Sequence, residues 1–279
     1  MKRTMIQKAG AALLALCLMG TLLPTAALAE EPIQPPQVEQ PQTEQLQPAE
    51  PQAFAAQTVY NVATAAEFAA AVAAIKADTE SGTEFTIVLT ADNIDVAQFA
   101  GIEGKHITLK SSEGQQYTIV NMGTSLTGDL TLDNVTAYTN TSTIYANGHL
   151  FETTGKFGDT VAKIYGGGTG EVTGGTNLIL RGGVFTYVYG GGNDAAVIGD
   201  THILVDGAHA MRLVGGGYGA AENKGTVDGS TYTNIRSGKI GGSGRGTYAI
   251  YGGGYNNSTQ NPETVAAVTG STHLTFGGD

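Results

Sequence analysis

The sequence has one cysteine, no tryptophan and only 14% charged residues in 279 positions. Cys17 lies in an N-terminal stretch that reads as removable. The mature chain therefore has neither disulfides nor a thiol nucleophile, and packing and hydrogen bonds must hold it. Positive charge is scarce, with 14 Lys plus Arg against 25 Asp plus Glu, a net charge of −11. Lys2, Arg3 and Lys8 belong to the removable stretch, which leaves 11 basic residues, 25 acidic ones and a net −14. Nucleic acid and anionic membranes both need a basic face, so neither is an expected partner. An every-third-residue glycine period is also missing, which excludes collagen although glycine itself is abundant.

What is present begins with targeting. Residues 1–8 are positively charged, residues 9–23 are apolar, and Ala27-Leu28-Ala29 is a small-x-small site. Residues 1–29 read as a secretory signal peptide; Pro24 and the small-residue site distinguish it from a membrane anchor. A lipoprotein site would need a small residue before Cys17, where Leu16 stands. The mature chain is expected outside the cell, secreted or associated with the cell surface, with no membrane insertion. Residues 30–57 are dense in Pro, Gln and Glu. They carry too little apolar content to offset ordering entropy and read as an extended linker.

Order is expected from residue 58 to 279. Thr64-Ala65-Ala66-Glu67 fits a capping box, and Phe68, Val72 and Ile75 form one apolar stripe on a helix ending near Ala77. Short alternating strands follow at 85–90, 106–110, 117–120 and 130–136, separated by turn residues. A lone amphipathic helix before a run of strands reads as a lid over an exposed sheet end. Residues 58–143 thus form an N-terminal cap and first coils, and residues 144–279 a glycine-rich array. Of the 41 glycines, 33 lie in residues 148–279.

That array repeats. Ile164-Tyr165-Gly166-Gly167-Gly168 returns as Val188-Tyr189-Gly190-Gly191-Gly192, as Leu213-Val214-Gly215-Gly216-Gly217 and as Ile250-Tyr251-Gly252-Gly253-Gly254. Ile144-Tyr145-Ala146-Asn147-Gly148 is a degenerate earlier copy. A second motif, Val-x-Gly-x-Thr, recurs in phase at 172–176, 197–201, 227–231 and 268–272. The first two intervals between triple glycines are 24 and 25 residues, one rung of a parallel β-solenoid. Stacking at about 4.8 Å predicts two inward ladders, Leu178–Ile203–Thr233–Leu274 and Leu180–Val205–Ile235–Phe276. The glycines are expected at corners that need positive φ or close backbone stacking.

Together the helix, the strands FTIVLTADNI, HITLKSSEGQQYTIV and LTLDNVTAY, the segment IYANGH and the VYGGG rungs resemble a known family. They are similar to the right-handed parallel β-helix, pectin-lyase-like repeats of large secreted bacterial surface proteins. The resemblance spans roughly residues 58–279. It implies an all-β, right-handed parallel β-helix with an N-terminal capping α-helix, in a protein concerned with glycans or adhesion. It does not choose among lyases, glycosidases, adhesins and passive stalks, which share the fold.

Function is expected at the loops that follow each triple glycine, which lengthen along the chain: 169–171, 193–196, 218–226 and 255–267. Stacking sets them side by side at one corner. Tyr218, Asn223, Tyr255, Asn256 and Asn257 are the candidate ligand-binding residues, because planar rings and amides suit sugar faces and hydroxyls; tolerated insertion is the competing explanation. No cofactor is expected. Gly190-Gly191-Gly192-Asn193-Asp194 lacks the nine-residue recurrence of a calcium repeat, and the triple glycines lack the helix and Gly-Lys-Ser/Thr of a phosphate loop. His202 and His273 share an outward position with Tyr232 between them, too far apart to share a metal. Arg181, Asp206 and Arg236 are expected as a charge ladder rather than a lyase or hydrolase site, since no carboxylate cluster accompanies them. The sequence stops at Asp279 before another triple glycine and reads as a fragment of a longer protein. The expectation is therefore an extracellular scaffold or adhesin that binds a glycan or surface ligand. A polysaccharide lyase or hydrolase and a passive stalk are the alternatives.

Overall fold

A computed structural model describes residues 58–79, 83–139, 141, 143–154, 162–220, 224–242, 249–257 and 266–277. The signal peptide and linker expected at residues 1–57 lie outside them, as does Asn223.

The described part is all-β with a single helix, Ala65–Ala77. Thr64 caps that helix as the spacing predicts. Its Oγ1 accepts from the Glu67 backbone N–H at 3.2 Å, and the Glu67 carboxylate accepts from the Thr64 N–H at 3.1 Å. Phe68, Ala71 and Ile75 are buried, while Val72 is half-buried, so the buried stripe turns by one residue from the expected one. Phe68 meets Phe99 edge-on at 5.3 Å.

Nine strands stack in one direction: Thr58–Val62, Glu84–Leu89, His106–Ser111, Asp129–Asp133, Leu150–Thr153, Thr176–Leu180, the starts of Thr201–Val214 and Thr231–Ile240, and Thr272–Phe276. Each pairs in parallel with the next. Parallel neighbours cannot be joined by a tight hairpin, so the chain must circle round between them. A second parallel row holds Thr143–Tyr145, Ala162–Tyr165, Val184–Tyr189, the end of Thr201–Val214 and Ala249–Tyr251. A third joins Val172–Thr173, Val197–Ile198 and Val227–Asp228, and continues to Val268. The chain thus returns to the same rows turn after turn, an arrangement consistent with a β-solenoid.

Both inward ladders have the expected register. Leu178, Leu180, Ile203 and Val205 are buried, and they continue the column through Phe151, Leu130 and Ile107. Full burial of each aliphatic side chain is worth roughly 1.5–3 kcal/mol. In the last described strand Leu274 and Phe276 are 38% and 63% exposed.

The two repeated motifs hold one another across the turn. Thr176 Oγ1 donates to the Gly190 carbonyl at 2.6 Å, Thr201 Oγ1 to Gly215 at 2.6 Å, and Thr231 Oγ1 to Gly252 at 2.5 Å. The threonine ending each of the first three Val-x-Gly-x-Thr copies therefore binds the first glycine of the following triplet. Those triplets do not adopt positive φ. Their requirement is close approach: a Cβ on Gly190 would lie 2.1 Å from the Gly215 carbonyl oxygen. Positive φ is needed at another corner, where Gly207 sits at +115°.

The charge ladder differs from expectation. Pairing runs true to Val205–Ile235 and then shifts, setting Asp206 opposite Ser237 instead of Arg236. Glu152, whose register partner is Ile179, reaches Arg181 diagonally from the preceding strand: Arg181 Nε lies 2.7 Å from Glu152 Oε1 and its Nη1 3.1 Å from Asp206 Oδ2, and Ser237 Oγ donates to Asp206 Oδ1 at 2.9 Å. The bulge that moves Arg236 out of line could not be read from strand period alone.

Candidate binding cleft

The residue before each triplet lies in the second row and is tyrosine in every copy but one. Tyr145, Tyr165 and Tyr189 share one register position, followed by Val214 and Tyr251. Strand spacing brings their rings into stacks: Tyr145 and Tyr165 lie 5.4 Å apart at 20°, Tyr165 and Tyr189 4.7 Å apart at 5°. Where Val214 interrupts this column, residues after the triplets close on it. Tyr218 pairs in register with Tyr255 and stacks on it at 6.1 Å. Tyr218 also meets Tyr189 edge-on at 5.8 Å, and Tyr255 meets Tyr251 at 5.4 Å.

Two residues earlier on each strand runs a second column, Lys163–Tyr187–Arg212. The period-two geometry of a strand turns these side chains to the same face as the tyrosine column. Lys163 Nζ lies 5.7 Å from the Tyr187 ring centroid, and the Arg212 guanidinium lies 4.8 Å from Tyr187 and 4.4 Å from Tyr255. Arg212 is only 8% exposed.

These residues enclose a cleft of about 480 Å³, lined by six tyrosines (145, 165, 187, 189, 218 and 255) with Lys163, Arg212, Asn193, Asn257 and Thr143. Asn257 Nδ2 donates to the Tyr218 hydroxyl at 3.0 Å, and Asn193 Nδ2 to the Tyr145 hydroxyl at 3.2 Å. Burial, then the neighbouring phenols and Asp194, push the Tyr165 hydroxyl far above its ordinary pKa. Burial also raises Tyr189 to about 12 against the opposing pull of Arg212. Burial works against charge on Arg212, yet its hydrogen bond to Tyr189 and the surrounding phenols carry its pKa above the ordinary value. At neutral pH the cleft therefore presents the protonated phenols of Tyr165 and Tyr189 and a charged guanidinium.

Of the five residues expected from sequence, Tyr218, Tyr255 and Asn257 meet in this cleft. Asn256 pairs with Gly219 beside it and does not line it. Sequence reasoning missed Tyr145, Tyr165, Tyr187, Tyr189, Lys163, Asn193 and Arg212. A signal was available. Two residues before Tyr165, Tyr189 and Val214, which precede three of the glycine triplets, stand Lys163, Tyr187 and Arg212.

Two other concavities offer less. A larger one of about 770 Å³ beside the helix is lined mainly by alanines, other apolar side chains and the 95–101 segment, with Lys76 and Asp95 its charged groups. A groove of about 380 Å³ follows the outward row of Asn177, His202, Tyr232 and His273. There the rings stack at 4.8 and 4.6 Å, with the tyrosine between the two imidazoles as expected. One tyrosine, Tyr232, lines that groove, against six in the tyrosine cleft.

No family model, curated protein or solved structure matches the chain.

Proposed function

We propose that the chain is a stretch of right-handed parallel β-helix of the pectin-lyase-like kind, covered at its N-terminal end by the Ala65–Ala77 helix. In this reading it is exported by residues 1–29, held off a surface by residues 30–57, and serves as an extracellular scaffold or adhesin that binds glycans. The parallel rows and the sequence resemblance support the fold. The observation that carries the function is the convergence of six tyrosines and two amides on one cleft. Aromatic rings offer apolar area to the C–H faces of a sugar, and amides and phenols offer donors and acceptors to its hydroxyls. Recognition on loop starts fixed by a rigid repeat is the usual division of labour in such scaffolds.

Affinity electrophoresis of the full chain through gels containing a panel of plant, microbial and host glycans tests this. Retarded migration in particular gels, lost on Tyr218→Ala with Tyr255→Ala, is the expected result. Unchanged migration in every gel would sink the binding reading and leave a stalk. Cleared zones would make the protein a polysaccharide-degrading enzyme instead.

A further inference from the structure

We infer that the apolar groove beside the Ala65–Ala77 helix is the seat of this chain's own residues 53–57, with Phe54 the side chain that fills it. The inference is independent of the glycan reading above.

The helix has the wrong surface for an element facing water. Glu67 and Lys76 are its only polar residues, and every alanine in it except Ala71 is exposed. A surface helix carries a polar face, and one that is apolar all round is normally covered. One side is covered, where Phe68, Ala71 and Ile75 meet the core. Along another side runs the groove of about 770 Å³, from Ala65 to Lys76, with Phe68, Val72, Val96 and Phe99 in its lining. A contiguous apolar surface of this kind marks a docking site.

Topology brings one segment to its mouth. Thr58–Val62 and Glu84–Leu89 are parallel neighbours, with Thr58 opposite Phe85. The helix is the crossover between them, so it runs back across the sheet and its last turn lies at the end where Thr58 stands. Lys105, just before the next strand begins, donates from Nζ to the Asp78 carbonyl at 2.8 Å and holds that turn in place. Phe54 precedes Thr58 by four residues, a reach of about 13 Å in extended chain, against a helix diameter of about 10–12 Å. The ring can therefore round the last turn and enter the groove beside Lys76.

Composition changes at the same point. Residues 30–52 contain six prolines and five glutamates, whereas residues 53–57, Ala-Phe-Ala-Ala-Gln, contain neither. Phe54 is the only aromatic residue in the 30–57 stretch. Alanine loses no rotamer freedom on ordering, so the stretch docks at little more than its backbone cost. Attachment a few residues away gives the segment an effective concentration on the order of millimolar, which favours it over a second copy of the chain. Docking leaves residues 30–52 as the tether.

The absence of tryptophan supplies the test. Phe54→Trp in the full chain is a single reporter that can be excited apart from the tyrosines. Blue-shifted emission is expected, unchanged on dilution. Acrylamide should quench it severalfold less than in the same chain carrying Ala69→Glu and Ala73→Glu, two exposed helix positions in the groove wall. Circular dichroism confirms that the Glu variant keeps its sheet. Emission typical of tryptophan in water would overturn the inference and leave the groove to another partner. Shielded emission that survives Ala69→Glu with Ala73→Glu would seat Phe54 elsewhere and overturn it too. A red shift on dilution would make the occupant the segment of a second copy. None of these outcomes bears on glycan retardation, so the two readings fail separately.

Discussion

The turns before residue 140 and those after residue 143 build the same parallel sheet with different corners. The first region has asparagines with positive φ that the triplet corners lack, set beside tight glycines such as Gly123 and Gly128, and the asparagine side chains tie one turn to another. Asn121 at +61° donates from Nδ2 to Asp95 Oδ1 at 3.1 Å, and Asn134 at +54° donates to the Gln115 carbonyl at 2.6 Å. In the second region the corners are glycine triplets stacked backbone on backbone, with Gly190 N–H to the Val214 carbonyl at 2.9 Å and Gly191 N–H to Gly216 at 2.9 Å. Amide corners have room for a side chain but need residues that tolerate positive φ. Glycine corners leave no room, so rungs repeat with little variation and their tyrosines fall into stacks. Regularity is what turns a repeat into a cleft.

The sharpest way to break this contrast is to exchange the corners. Gly190→Ala drives a Cβ to 2.1 Å from a backbone carbonyl oxygen and is expected to cost about 3 kcal/mol or more, enough to lose cooperative thermal unfolding. Asn134→Gly keeps the backbone conformation and loses one hydrogen bond, at about 1 kcal/mol. Similar melting temperatures for the two variants would refute the distinction.

Alkaline pH probes the buried tyrosines of the column, and a Tyr189→Phe control isolates them. A phenol whose pKa is raised in the fold stabilises it fully below the unfolded value near 10. That contribution is lost as pH rises through the folded value, about 12 for Tyr189. Roughly 2–3 kcal/mol should disappear over this window. Chemical denaturation at pH 9 and pH 12 checks it, and Tyr189→Phe should flatten the dependence.

Two buried threonines in the repeats sharpen the account in opposite directions. Thr201→Val removes the hydroxyl bound to the Gly215 carbonyl and should destabilise by about 1–3 kcal/mol. Thr233 stands in an aliphatic ladder at 1% exposure with no partner for its Oγ1 among the described residues. Thr233→Val should therefore stabilise by about 1 kcal/mol. At the other end of the molecule, Thr64→Ala removes the capping box and should cost about 1 kcal/mol. Urea midpoints of the three variants give all three signs.

Repeats made the fold readable from sequence. Two motifs in one phase placed the inward ladders residue by residue, because stacking carries each register to the next. The capping box placed the helix start for a similarly local reason. What escaped needed three dimensions: the shift after Val205 that removes Arg236 from its row, and the entry of Glu152 from an earlier strand. The cleft was half legible. Tyr218, Tyr255 and Asn257 stood out as loop residues, but Arg212 and Lys163 lie inside strands and acquire meaning only when the rungs are stacked. That the triplets serve close approach and not positive φ was also invisible, since composition alone allows both.

The central claim is that the stacked tyrosines form the binding surface, and the absence of tryptophan makes it directly measurable. Tyrosine supplies the chain's intrinsic emission, and six of the 12 tyrosines line the cleft. Titrating the full chain with whichever glycan retards it should change that emission saturably, and the change should vanish in the Tyr218→Ala, Tyr255→Ala double variant. Saturable binding with flat emission, or with an emission change that survives the double variant, would contradict the account and move the ligand to another face of the molecule.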